Sequence, residues 1–394
     1  MKKLKLISAE KISYWFFSLF LLTCTFPVRK IIYGDMSFMT GFFSEYLTIF
    51  FEISEIFLGF SFLFFAFIKK NTTTQKSFLF LLLGFFLSLE VASIFAVEQK
   101  LAFLGALKVF EAFLAGVFIY SSKYPFKNIA WILFCVALFQ GALGVTQFII
   151  GHSAGLGFVR EQSLNAIDAG MPKFADHLRA SGTFLHPNIL SFFLVLSFFL
   201  GDFIKKPWFY LRYLLIIPIV LTFSRTGILA LFCGLLFKKK DFLWALLLIL
   251  LFLIYAPVRE LLMERLVLGD SLTERLGGFD DAFFIIRDYP WGVGVRNYIL
   301  YLQDIAPWSM QPVHSLFLLI SAEVGVLAGV VMFLFFVLAF IKNKAQRSLI
   351  MVFFVFGLFD HFLWSIYTGL MLLAIFMGLF FRKEEHGLLK KFFI

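Results

Sequence analysis

The chain reads as a succession of apolar runs separated by polar breaks. The runs fall at about 12–28, 43–68, 78–97, 101–120, 129–150, 188–204, 208–223, 226–237, 241–256, 314–341, 347–362 and 364–381. Many come near the roughly 20 residues that carry a helix across a hydrocarbon core. The pattern predicts an all-α integral membrane protein of about twelve transmembrane helices, with residues 1–394 forming a single membrane domain. The first run follows Met1-Lys-Lys-Leu-Lys, as a secretion signal would. However, Pro27-Val-Arg-Lys stands where cleavage wants small residues, so the run reads as a retained span.

Two breaks are long, 151–187 and 257–313. Loops well beyond about 12–15 residues are usually functional or disordered. The second carries a capping box, Ser271-x-x-Glu274, after which Leu272, Leu276, Phe279, Phe283 and Ile286 recur at steps of four and three until Pro290. That pattern predicts an amphipathic helix lying on the outer leaflet or over the mouth of the bundle.

Composition strengthens this picture. With 61% hydrophobic and only 15% charged residues, against about 25% charged in a soluble domain, a water-soluble fold and a disordered chain are both excluded. The net charge of +10 does not call for a nucleic-acid partner, because its placement matters more than its sum. Most Lys and Arg fall at the termini and in the connections after even-numbered spans. The positive-inside rule then puts both termini in the cytoplasm and both long loops outside. Cys24, Cys135 and Cys233 lie inside apolar runs without ligand spacing and read as packing residues.

Polar residues that interrupt the pattern are the candidates for chemistry. Arg225 lies in Thr222-Phe-Ser-Arg-Thr-Gly227, at the outer end by the span count. Its guanidinium either snorkels at the interface or holds an anion, a planar fork suited to phosphate oxygens. Arg275, in the second loop, is either paired on a solvated face or aimed at the same ligand. His314 opens the tenth run; it is either an interfacial side chain or a proton acceptor near neutral pH. Glu323 and the Gly325-x-x-x-Gly329 motif share that run, and the glycines read as close helix packing. Glu45, Glu52 and Glu55 either line an ion path or pair with groups such as Arg29, while Lys108 and Glu111 neutralise each other at i,i+3. The histidines of the first loop are too scattered for a zinc site.

Taken in order, Arg179-x-x-Gly-Thr-Phe-x-x-Pro-Asn188, Ser224-Arg225-Thr-Gly, Arg275 leading to Pro290-Trp-Gly-Val-Gly294, and His314 leading to Glu323-x-Gly325-x-x-x-Gly329 resemble the O-antigen ligase and O-antigen polymerase superfamily. The resemblance is strongest over residues 175–340. It departs from the simplest pattern at Phe279, where a Trp is common, which leaves Arg265 as a competitor to Arg275. The resemblance implies a membrane glycosyltransferase that moves a glycan from an undecaprenyl-diphosphate carrier to an acceptor such as lipid A-core, at the outer face of the bacterial inner membrane. Arg225 and Arg275 would bind the diphosphate and His314 would serve the acceptor hydroxyl. Arg179, Asn188, Arg265 and Glu323 are secondary candidates. No metal or other cofactor is expected, since the arginines supply the charge. A repeat-unit polymerase and a protein-glycosylating ligase share this donor chemistry. A lipid-linked sugar transporter is the alternative of a different class, for which the three glutamates are the best support and the missing internal repeat the main objection.

Overall fold

The computed structural model describes residues 8–41, 43–68, 87, 89–157, 173–174, 177–238, 241–243, 270–303 and 311–382. The fold is predominantly helical, in keeping with a helical membrane protein. Its first part comprises α1 (Ala9–Thr23), a strand pair β1 (Arg29–Tyr33) and β2 (Ile49–Glu52), then α2 (Ile53–Ala66), α3 (Gln99–Ser121) and α4 (Phe126–Ile150). Short strands β3 (Lys173–Phe174) and β4 (His177–Leu178) precede α5 (Pro187–Leu200). After 3-10 turns at Gly201–Phe203 and Trp208–Leu215 come α6 (Ile216–Leu221), α7 (Arg225–Leu235), α8 (Asp270–Asp288) and α9 (Tyr298–Leu302). The last part is α10 (Leu316–Val324), α11 (Val326–Lys342), α12 (Arg347–Phe359), α13 (Phe362–Ser365) and α14 (Tyr367–Phe381).

Every residue of α5 is buried. A helix apolar all round belongs inside a bundle, and α5 packs against α4, α6, α7 and α12. Around this centre α14 runs along α3, α1 along α2, and α12 along α7. Among the described residues only α3 and α4 are long and apolar enough to cross a membrane unaided. A third crossing arises if α11 and Lys344–Phe359, bent by 109° at their junction, count as one span. The twelve expected runs therefore appear largely as shorter pieces, and residues 78–86 of the third run and most of the run at 241–256 lie outside the described residues.

Two runs depart from single helices for local reasons. In 43–68, β2 pairs antiparallel with β1, Arg29 facing Glu52. The helix starts only at Ile53, where Glu52 and Glu55 form a capping box and the Glu55 carboxylate accepts from the Glu52 N–H at 2.8 Å. In 314–341 the chain turns at Gly325, whose φ of 112° disfavours any side chain. The helices α10 and α11 then fold against each other. A Cβ on Gly329 would sit 2.8 Å from the Phe317 carbonyl oxygen and closer still to Ser321 Oγ, so the small-residue motif closes a hairpin within one run.

Several embedded charges are paired. Arg29 pairs with Glu45, and Lys108 reaches Glu55 at 2.6 Å and Glu111 at 3.6 Å. Near the far end of α5, the fully buried Arg212 bonds Asp202 and, at 2.6 Å, Asp241, while Lys238 lies 2.9 Å from Asp202.

Candidate functional site

The site is assembled on the N-terminus of α5. His186 caps that helix: its Nδ1 accepts the Asn188 N–H at 3.1 Å, and Pro187 occupies the first turn, where no donor is needed. Burial, and secondarily the nearby Arg179 guanidinium, push the His186 pKa down to about 3, against the opposing pull of Asp360. A neutral ring is what the cap requires, because a protonated Nδ1 could not accept.

The cap fixes Asn188, whose Nδ2 donates to Asp360 Oδ2 at 2.9 Å. Asp360 ends α12, and its Oδ1 accepts the His361 N–H at 2.9 Å. His361 Nδ1 lies 2.7 Å from Ser365 Oγ on α13. Across from it stands His314, immediately ahead of Ser315, the N-cap of α10; the two imidazole centroids are 5.3 Å apart. These residues line a cavity of about 600 Å³ together with Glu45, Tyr46 and Gln311.

Behind this wall Arg179 is buried, donating from Nε to the Thr222 carbonyl at 2.9 Å and from Nη2 to Asn188 Oδ1 and the Phe223 carbonyl, each at 3.5 Å. Phe223 takes a left-handed φ of 49° in the turn that Arg179 braces, just before Ser224 caps α7. Two glutamines on α4 hold the same loop. Gln147 Oε1 accepts the Gly182 N–H at 2.8 Å, and Gln140 Oε1 accepts the Thr183 N–H at 2.9 Å. The two distant motifs 179–188 and 222–227 thus form one unit.

Arg296 braces the other wall. It is half-buried, and it donates to the carbonyls of Glu45, Tyr46 and Thr48 at 3.1, 2.7 and 3.2 Å, and to that of Ser365 at 3.2 Å. Glu323 lies outside the cavity lining, accepting from Tyr46 and, at 2.6 Å, from Trp364 Nε1. The loop after α8 docks on the carbonyl end of α10, with Val293 N–H to Ala322 O and Gly294 N–H to Glu323 O, both at 2.9 Å.

Of the expected site residues, His314 and Asn188 meet in the cavity, and Arg179 adjoins them through Asn188. Arg225, half-buried, opens α7 beside this assembly and is not in the cavity lining. Arg275 lies within α8, its side chain outside the described residues; Arg265 also lies outside them. Asp360 and His361 were not singled out from sequence, although an Asp-His pair inside the run 347–362 is a signal, since ionisable residues among apolar ones are costly without a role.

A second space adjoins this one. An apolar groove of about 790 Å³ is lined by residues of α3, α11 and α14, among them Phe113, Val330 and Leu373, and by Trp291 and Trp364. The two spaces share α13: His361, Phe362 and Ser365 face the cavity, and Trp364 faces the groove.

Fold and site thus define a helical membrane protein with a polar, histidine-lined cavity next to an apolar groove. Residues 210–334 match the family model described as O-antigen ligase, the family that the motif order also resembles. The matched segment contains Arg225, Arg275, His314 and Glu323; Arg179, Asn188, Asp360 and His361 lie beyond it. No match was found among the curated proteins or among the solved structures.

Proposed function

We propose that the protein is a metal-independent, inverting glycosyltransferase of the bacterial inner membrane. It transfers a glycan from undecaprenyl diphosphate to an acceptor at the outer face, as an O-antigen ligase with lipid A-core as acceptor. The observation that carries this reading is the position of His314: a residue of the family-matched segment stands in the wall of a cavity large enough for sugar rings, opposite Asp360 and His361. Twelve spans, cytoplasmic termini and outward-facing long loops belong to the same proposal.

In the reaction an acceptor hydroxyl oxygen bonds to the anomeric carbon as the bond from that carbon to the diphosphate breaks. The proton passes to a ring nitrogen of His314, and the electron pair leaves with the diphosphate. Arg225 and Arg275 hold the departing charge, the role that preorganised cations play at a developing anion. A single displacement inverts the configuration. The apolar groove on the other side of α13 gives the prenyl tail a surface of its own polarity, with the sugar in the cavity.

The test is a mass spectrum of the product formed by purified protein from a defined undecaprenyl-diphosphate glycan with lipid A-core present. A glycosylated lipid A-core supports the ligase reading. Repeat units joined on the carrier itself identify the polymerase instead, and untouched donor overturns both.

A further inference from the structure

The cavity brings together histidines that sequence spacing keeps far apart. One ligand atom each from His314, Asp360 and His361 lie within 4.8 Å of one another. We propose that these three residues form a binding site for a divalent cation of the zinc class, separate from any requirement of glycan transfer. The site does not rest on the transferase reading; its effect on transfer does.

The donor set is two imidazoles and one carboxylate. That combination suits Zn²⁺, Co²⁺ and Ni²⁺ and disfavours Mg²⁺ and Ca²⁺, which prefer oxygen ligands alone. Tetrahedral coordination brings ligand atoms to about 3.4 Å from one another, given bonds of about 2.0–2.1 Å. Closing from the observed spread takes rotation of the two rings about their own side-chain bonds. Three protein ligands beneath an open cavity match the form of a site that keeps a solvent position, not a closed structural one.

The surroundings are also those of a ligating shell. Ser365 Oγ engages His361 Nδ1, so Nε2 is the ligating nitrogen in this arrangement. Asn188 fixes the Asp360 carboxylate from behind through Nδ2. Such outer contacts hold ligands in place and raise affinity. Arg179 is the opposing charge; it stands beyond Asn188, with its guanidinium bonded to the Thr222 and Phe223 carbonyls.

A cation here would occupy the His314 nitrogen that transfer assigns to the acceptor proton, so the same ion that binds would inhibit. The experiment uses untagged full-length protein in detergent, titrated with Co²⁺ and followed by visible absorption. The wild type is expected to bind one Co²⁺ per chain with the spectrum of a histidine-carboxylate site, displaced by Zn²⁺ and not by excess Mg²⁺. His361→Ala is expected to abolish the spectrum. Ser365→Ala, which removes only the supporting hydroxyl, should weaken binding about 10–100-fold. His152→Ala, at an exposed imidazole, should leave it intact. Absence of the spectrum in wild type, its persistence in His361→Ala or its loss in His152→Ala overturns the site. These readings use no glycan, so they stand apart from success or failure of the transfer assay.

Discussion

The cavity and the groove meet at α13 yet are built on different principles. In the cavity the polar wall is held by directed bonds: His186 by Asn188, Asn188 by Asp360, His361 by Ser365. In the groove the wall is aliphatic and aromatic surface, where shape and volume matter and the identity of each residue matters less. The contrast teaches where specificity resides. A change of one polar atom in the cavity should have a large effect, and a change of one methylene in the groove a small one.

The sharpest attempt to break this contrast is His314→Ala. Transfer is expected to fall by about 10²–10⁴-fold, read by product formation at matched protein level; near-normal transfer would remove the imidazole from the mechanism. Next comes Asn188→Ala, which leaves the buried Asp360 Oδ2 without its donor. A loss of about 1–3 kcal/mol in stability is expected, measured by thermal unfolding in detergent, together with reduced transfer.

In the groove, Ala328→Trp should raise KM for a full-length prenyl donor roughly tenfold, equivalent to about 1.4 kcal/mol of apolar contact. Its kcat on a short-chain donor should be unchanged. Equal loss on both donors would show that groove and cavity do not divide tail from sugar.

The last prediction concerns pH. The folded His186 pKa is lowered from its ordinary 6.5 to about 3, so between these values the unfolded chain takes up a proton that the folded chain refuses. Stability from this residue is therefore present above about 6.5 and declines as pH falls towards about 3. His186→Asn puts an amide oxygen in place of the ring-nitrogen acceptor of the cap and removes the titration. The difference in melting temperature between the two proteins should change across that window and be flat above it.

Much of this was legible in the sequence where the cause is local. The periodic apolar positions up to Ile286 and the stop at Pro290 foretell α8, observed as Asp270–Asp288, with Ser271 inside the helix. The i,i+3 spacing of Lys108 and Glu111 gives the observed pair, and Arg29 does neutralise Glu45. What escaped was tertiary. Hydropathy cannot register the reversal at Gly325, because both arms of that hairpin are equally apolar. Nor does any spacing announce that His314 will face His361, since the two are brought together only when α10 and α13 pack. Glu52 reads as part of a span by polarity alone, whereas strand pairing makes it the end of a hairpin.

The docking of the loop Pro290–Gly294 on α10 carries one more consequence. The helix α10 has nine residues, about 14 Å of rigid rod, with the loop bonded to its far end and His314 at its near end. The rod therefore ties the loop, whose Pro290 and Trp291 line the groove, to the imidazole that lines the cavity, so the two spaces share one rigid spacer.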